Sequence, residues 1–332
     1  MPTLLEQIWY KNSPLYWVLV PFSWIYQGIA VLRRAILARF FQQRFAVPVI
    51  VVGNITVGGV GKTPLVIELA NTLVKRGLQV GVVSRGYGAA VRAFPYPVDK
   101  ECQAALVGDE PLLIAKRTSC PVIIDPKRVR AIHYLLKQHE CDVIISDDGL
   151  QHYAMGRAIE IVVIDGQRGF GNGWCLPAGP LRESPKRITQ SDFIVINGEE
   201  SKPKLVASLP KKYAMHLQTG FLINLVTDQP YPIESIHSPV AAVAAIGDPD
   251  RFFRHLRALG LVVHEHPFPD HYCFKREDFH FTEEIVLMTE KDAVKCQGFA
   301  RENWYYLPVE ARLPDEFWRS LYAHPQLERV LP

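Results

Sequence analysis

The six cysteines, at positions 102, 120, 141, 175, 273 and 296, form no C-x-x-C pair and follow no finger-like spacing. That excludes a disulfide scaffold and favours scattered free thiols in a reducing compartment. No basic n-region opens the chain and no A-x-A-like site follows its first apolar run, so a cleavable secretory signal is not expected. Neither sign of charge dominates: 37 Lys and Arg face 34 Asp and Glu, a net +3 that does not mark a nucleic-acid binder. Internal repeats and low-complexity tracts are lacking too. What remains is a 332-residue chain with 48% hydrophobic and 21% charged residues, ordinary globular usage. Its length suits two domains, or one large core with an addition.

The small charge excess is unevenly placed. Residues 1–44 hold Lys11, Arg33, Arg34, Arg39 and Arg44 against Glu6, a net +4, which leaves the other 288 residues at −1. Between Asn12 and Leu32 there is no charge, and the stretch is rich in Trp, Tyr and Leu. Its length would permit a membrane span. Pro21, Ser23, Gln27 and Gly28 dilute it, and its aromatics are spread along it instead of lying in two end belts. A helix packed on the protein's own core is a second reading. The favoured one is a helix lying in the interface plane, apolar side in lipid and arginines on anionic head groups.

The most informative segment runs from Val47 to Gly77. Val47–Val52 is a continuous apolar run, as a buried parallel strand requires. Thr56-Val57-Gly58-Gly59-Val60-Gly61-Lys62-Thr63 follows, with glycines that let backbone N–H groups turn onto a phosphate. Lys62 suits the β- and γ-phosphates, and the Thr63 hydroxyl suits Mg²⁺. Beyond it Leu65, Val66, Leu69, Ala70 and Leu73 recur at helical spacing, which puts the phosphate at a helix N-terminus. Thr56 stands where the general G-x-x-x-x-G-K-[ST] pattern has glycine. Strand, loop and helix in this order predict nucleotide binding.

Further strands are expected at Gln79–Val83, Pro121–Asp125, Cys141–Asp147, Ile159–Asp165 and Asp192–Asn197, the pattern of a doubly wound parallel sheet. Ser84-Arg85-Gly86-Tyr87-Gly88 would lie at the carboxyl end of one of them, where open α/β sheets place ligands. Cys141–Asp147 ends in Asp147-Asp148, a Walker-B-like arrangement whose carboxylate approaches Mg²⁺. Asp109 and Glu110 stand at the expected start of a helix reaching Lys116, where capping and dipole compensation would suffice to explain them.

Taken together, these pieces resemble the tetraacyldisaccharide 4′-kinase family, the lipid A 4′-kinases of bacterial outer-membrane biogenesis. The matching segments are GNITVGGVGKTP at 53–64, SRGYG at 84–88, VGDEP at 107–111 and DDGLQH at 147–152. PAGPLRE at 177–183, FPDHY at 268–272 and TEKDAVK at 289–295 continue the match in the family's order. The TVGG-x-GKT form of the family also accounts for Thr56. The resemblance implies transfer of the ATP γ-phosphoryl group to the 4′-hydroxyl of an acylated glucosamine disaccharide 1-phosphate. It further implies a peripheral or monotopic enzyme on the cytoplasmic face of the inner membrane, contacting an anionic surface. Nucleic acid and an obligate protein partner are not expected.

The resemblance also suggests roles. Asp109 is the expected general base and His271 the partner that orients or tunes it. Glu110 and Asp147 join Thr63 as candidate Mg²⁺ ligands, with Asp148 either behind them or on the nucleophile side. Which carboxylate takes which role is open. Arg182 suits a phosphoryl clamp by its fixed donor fork. Arg85 and Arg128 are candidates for a phosphate, and Tyr87 and Gln151 for the sugar.

A regulatory P-loop GTPase or metallochaperone is the rival, since such proteins also carry GG-x-GKT loops. Guanine recognition usually comes with [NT]-K-x-D, and Thr289-Glu290-Lys291-Asp292 places its lysine one position late. A membrane-associated binding module without catalysis ranks below both. The expected organisation is a membrane-associating segment at 1–44, a P-loop kinase domain at 45–198, a hinge at 199–212 and a smaller α/β domain at 213–332. The final helix has the option of returning to the first domain. Closure of the second domain would then carry His271 to Asp109.

Overall fold

A computed structural model describes residues 4–11, 13–199 and 211–332. Its main feature is a nine-stranded sheet in the order β15-β8-β7-β6-β1-β5-β2-β4-β3. The strands are β1 (Val49–Gly53), β2 (Val80–Ser84), β3 (Tyr96–Val98), β4 (Val122–Ile124), β5 (Val143–Asp147), β6 (Ile159–Asp165), β7 (Phe193–Asn197), β8 (Lys212–Thr219) and β15 (Val309–Arg312). All pair in parallel except β3 on β4 and β15 on β8. Every residue of β1, β2, β5, β6 and β7 is buried, which is why these strands are predominantly apolar. The chain crosses from one side of β1 to the other, and the crevice at such a switch point is where α/β sheets take ligands.

Two helices, α1 (Leu4–Tyr10) and α2 (Tyr16–Phe40), precede the sheet. On one face, α3 (Lys62–Lys75) packs through Leu65, Val66, Leu69, Ala70 and Leu73. Following the short α4 (Ala104–Val107), α5 (Asp109–Arg117) joins that layer. The other face is covered by α6 (Arg128–Gln138) through Ala131, Ile132 and Leu135.

A second sheet has six strands in the order β10-β9-β14-β13-β11-β12. These are β9 (Leu222–Asn224), β10 (Pro230–Tyr231), β11 (Val240–Ala244), β12 (Val263–Pro267), β13 (Ile285–Thr289) and β14 (Trp304–Leu307). One of its faces is closed by α7 (Pro249–Ala258), with Phe253 and Leu256 inward. An aromatic cluster fills the other, with the Trp304 and Phe279 rings 4.2 Å apart.

The expected boundary at 213 divides the sheets wrongly. Strand β8 extends the first sheet by pairing with β7, and β15 pairs with β8. After β15, α9 (Asp315–Tyr322) buries Phe317 and Leu321 in the first sheet's core. The second sheet is thus an insertion spanning 222–307. A strand's own residues state that it is paired, not with which neighbour. Most of the expected hinge, at 200–210, lies outside the described residues.

The two sheets meet in two places. Helix α8 (Glu290–Cys296), which follows β13, lies against α5 and contributes Val294 to the first core. Arg117 and Glu290 pair there at 2.6 Å. On the other side, Gly247 sits over the glycine loop: a Cβ at 247 would stand 2.7 Å from the Gly59 nitrogen, so only glycine fits this approach. Asn197 ties both sides, donating to the Val60 carbonyl at 3.0 Å and accepting from Arg251 at 3.0 Å.

Candidate active site

The glycine loop links β1 to α3 as the pattern requires. Gly61 caps α3 with φ +88°, and a Cβ there would lie 2.3 Å from the Asn197 side chain, so both conformation and space demand glycine. The lysine is held ready: Lys62 Nζ donates to Asn54 Oδ1 at 3.0 Å and pairs with Asp148 at 3.2 Å. Asn54 also donates to the Thr56 carbonyl at 2.9 Å, so one buried amide shapes the loop and aims its lysine.

The wall beside the loop is the 175–183 segment. Pro180 accepts from the Val57 N–H at 2.9 Å, and Arg182 donates its own N–H to Ile55 at 2.6 Å. Its guanidinium reaches Asp148 at 3.2 Å and Gln151 at 3.3 Å. Gln151 in turn donates to the Asn54 carbonyl and to Glu183, both at 3.0 Å. Asp148 adopts φ +46°, an uncommon value for a residue other than glycine, and joins Lys62 to Arg182. Burial alone would raise its pKa; the charges of Lys62 and Arg182 and their hydrogen bonds outweigh this and hold it far below the carboxylate range.

Asp147 behaves oppositely. Burial, then the carboxylates of Glu110 and Asp148, push its pKa up to about 7. Its Oδ2 accepts from Ser84 at 3.0 Å, while its Oδ1 is buried with no hydrogen-bond partner among the described residues.

A second cluster forms where α5 meets the inserted sheet. Asp109, 5% exposed, accepts from the Glu110 N–H at 2.9 Å, and both its oxygens lie within 3.1–3.2 Å of His271 Nδ1. The two residues are 162 positions apart and come from different sheets. His271 has φ +59°, and its ring packs 4.8 Å from that of Tyr87. Such backbone strain is found where the surroundings fix a functional side chain. Burial raises the Asp109 pKa, but the His271 hydrogen bond and the charges of Lys291, His271 and Lys295 bring it below its ordinary value. The His271 pKa is raised, chiefly by its hydrogen bond to Asp109.

Lys291 occupies the centre. Its Nζ lies 3.0 Å from Glu110, 3.5 Å from His271 Nε2, and 3.8 Å from both Asp109 and Asp270. It is not among the residues that the sequence marks for the site: TEKDAVK matches the family as a segment and fails as a guanine motif, and a helix-start lysine carries no local signal. Asn54 was missed for the same reason, although it immediately precedes the loop in GNIT.

The remaining candidates divide. Tyr87 is 60% exposed and Arg85 is exposed beside it, both open to a ligand. Arg128 is not: it is 2% exposed, and its guanidinium is used on the carbonyls of Asp125 at 2.9 Å and Asp147 at 3.0 Å. Burial brings its pKa down to about 10. It braces the strand end that carries Asp147, and the expectation that it meets a substrate phosphate is withdrawn.

Helix α2 leans on the same wall. Val20 and Ser23 are buried against it. Outward, Val18, Phe22, Ile25, Ile29, Leu32, Ile36 and Phe40 follow one another in steps of three or four residues and are 40–76% exposed. Among the described residues no helix is long and apolar enough to cross a membrane, which removes the spanning alternative.

Known proteins similar to this chain point to one family. The family model described as tetraacyldisaccharide-1-P 4′-kinase matches residues 15–326. A tetraacyldisaccharide 4′-kinase of Legionella pneumophila (strain Lens) is 51% identical over 328 residues, 99% of each chain. One from Haemophilus influenzae (strain 86-028NP) is 46% identical over 310 residues, 92% of this chain and 91% of its own. Among solved structures, LpxK from Aquifex aeolicus in complex with ATP superposes with a TM-score of 0.78 at 30% identity, covering 96% of this chain and all of that one.

Proposed function

The chain belongs to the tetraacyldisaccharide-1-P 4′-kinase family, and from that premise we propose that it transfers the γ-phosphoryl group of ATP to the 4′-hydroxyl of a tetraacylated glucosamine disaccharide 1-phosphate, giving the 1,4′-bisphosphate. The observation that carries this reading is the Asp109–His271 contact, which sets a buried, ionised carboxylate in a cleft shared with a P-loop. Incubation with γ-labelled ATP and the tetraacyldisaccharide 1-phosphate tests it. Native protein yields a labelled lipid bisphosphate, and Lys62→Ala does not; a native protein that hydrolyses nucleotide yet labels no lipid contradicts it.

Phosphoryl transfer asks the protein for positioning and for cations around the spreading charge. The backbone of 57–63 and Lys62 hold the nucleotide phosphates at the N-terminus of α3. Lys62 and Arg182, drawn together by Asp148, supply two fixed positive charges. Asp109 accepts the proton of the attacking hydroxyl; its lowered pKa keeps it ionised at neutral pH. His271 holds both of its oxygens and so sets the direction of the acceptor lone pairs. Tyr87 and Gln151 meet the sugar, and Arg85 a phosphate.

The donor set suits Mg²⁺. Asp147 Oδ1 is a buried acceptor with no donor among the described residues, and Glu110 is near enough to raise its pKa. Mg²⁺ keeps several of its waters and leans on one or two carboxylates and on phosphates. Asp147, Glu110 and Thr63 would hold it, and bound there it supplies neutralisation of phosphate charge.

The exposed stripe of α2 faces a lipid surface. Seven large apolar side chains moved from water into lipid are worth on the order of 10 kcal/mol, and Arg33 and Arg39 on the same helix favour anionic head groups. The enzyme therefore works as a peripheral protein on the membrane that contains its lipid substrate, at the cytoplasmic face of the inner membrane where ATP is supplied.

A further inference from the structure

We infer that α2 is a working part of the active-site wall as well as a membrane contact: Ser23 and Tyr26 position the 175–183 segment, and through it Arg182, for phosphoryl transfer. This rests on the kinase and membrane readings above but makes a separate claim, because an anchor needs no particular hydrogen bonds to the protein it anchors.

The contacts run in one unbroken series. The Ser23 hydroxyl, 1% exposed, donates to the Cys175 carbonyl at 2.8 Å and accepts from the Ala178 N–H at 3.0 Å. One hydroxyl thereby satisfies backbone groups on both sides of residues 176 and 177. Three residues along the helix, the Tyr26 hydroxyl donates to the Arg182 carbonyl at 3.2 Å. From α1, the Trp9 ring N–H donates to Pro177 at 2.9 Å. The segment held in this way has the glycine loop on its far side, through Val57 to Pro180 and Arg182 to Ile55. At its end the Arg182 guanidinium meets Asp148, which also pairs with Lys62.

The chemistry makes these two hydroxyls more than packing. Replacing Ser23 by alanine leaves the Ala178 N–H without its partner and the Cys175 carbonyl with the Gly179 N–H at 3.0 Å, so the 175–178 turn loses the tether that fixes it to α2. Replacing Tyr26 by phenylalanine removes only the tether on Arg182 and keeps the ring. Either change loosens a guanidinium whose value lies in a fixed position relative to the phosphoryl group, and misplacement by about 1 Å costs about 10²-fold. The membrane-facing stripe is untouched, since Ser23 and Tyr26 lie off it.

The test uses the full chain with Ser23→Ala, Ser23→Thr, Tyr26→Phe and Arg182→Ala, and each hydroxyl variant combined with Arg182→Ala. Lipid phosphorylation is measured with the tetraacyldisaccharide 1-phosphate in vesicles containing phosphatidylglycerol, alongside flotation of the protein on the same vesicles without substrate. The expected result is a kcat about ten- to a hundredfold lower in Ser23→Ala and Tyr26→Phe, with flotation and the lipid KM as in native protein. Ser23→Thr, which keeps the hydroxyl, retains most activity. In the Arg182→Ala background the hydroxyl changes lower kcat no further, the non-additivity of groups that act through one another. Unchanged kcat in Tyr26→Phe, or losses that add fully to that of Arg182→Ala, would overturn the inference. If Ser23→Ala does not fold, Tyr26→Phe and its cycle with Arg182→Ala decide the matter. A native protein that labels no lipid or does not float refutes the function reading instead, before any variant is compared.

Discussion

Replacing His271 by alanine isolates what the inserted sheet adds to the site. Among the described residues Asp109 has four partners: the Glu110 N–H, His271, and the ammonium groups of Lys291 and Lys295 at 3.8 and 4.0 Å. Only His271 is both a side chain and within hydrogen-bonding distance. The variant therefore removes one hydrogen bond to a buried charge, worth about 1.5–3 kcal/mol. At about 1.4 kcal/mol per tenfold in rate, kcat falls by about 10- to 10²-fold if that bond is present in the transition state. The KM for ATP stays near native, since among the described residues no hydrogen bond or ion pair joins His271 to the glycine loop. The pH profile moves in a defined direction. Asp109 is held below its ordinary pKa by partners that include His271, so native activity is lost only as pH falls through that depressed value. Without His271 the carboxyl protonates at higher pH and the acid limb shifts upward. Initial rates at saturating ATP across the acid range measure both effects. A kcat within twofold of native, or an acid limb that does not move, refutes the coupling of His271 to Asp109.

Other expectations follow from the same geometry. Because protons compete for Asp147, whose pKa is about 7, the Mg²⁺ concentration for half-maximal activity should fall as pH rises from 6 to 8; Asp147→Asn should abolish that dependence in Mg²⁺ titrations. Lys291→Met leaves Asp109, Glu110 and Asp270 without their shared cation; kcat should drop about 10- to 10²-fold, with Lys291→Arg recovering part of it. Trp304→Ala removes a ring 1% exposed and stacked on Phe279, which should cost about 3–5 kcal/mol in denaturant unfolding, lowering the midpoint.

The parts of this protein written in contiguous residues were the ones legible beforehand. Strand, glycine loop and helix from Val47 to Leu73 follow from local rules, and so does a strand ending at Asp147. Asp109 and His271 carry no such mark. Read singly they are a helix-start carboxylate and a loop histidine, and only the resemblance of VGDEP and FPDHY to a known family paired them. Lys291 and Asn54 stayed hidden because their significance lies in partners up to 181 positions away. Arg128 misled for a related reason. An arginine beside a turn reads as exposed, yet here it is drawn inward by the free carbonyls at the ends of two strands. The same limit explains β8 and β15, since the residues of a strand do not say which sheet it joins.

In the proposed mechanism Asp109 acts on the transferring group within a nucleotide site that does not need it for binding. A single-turnover experiment with Asp109→Asn, ATP and the tetraacyldisaccharide 1-phosphate tests this most directly, with ATP binding measured on the same sample. The expected outcome is ATP affinity close to native and lipid phosphorylation slowed by about 10²–10⁴-fold. Transfer at the native rate with ATP bound would contradict it.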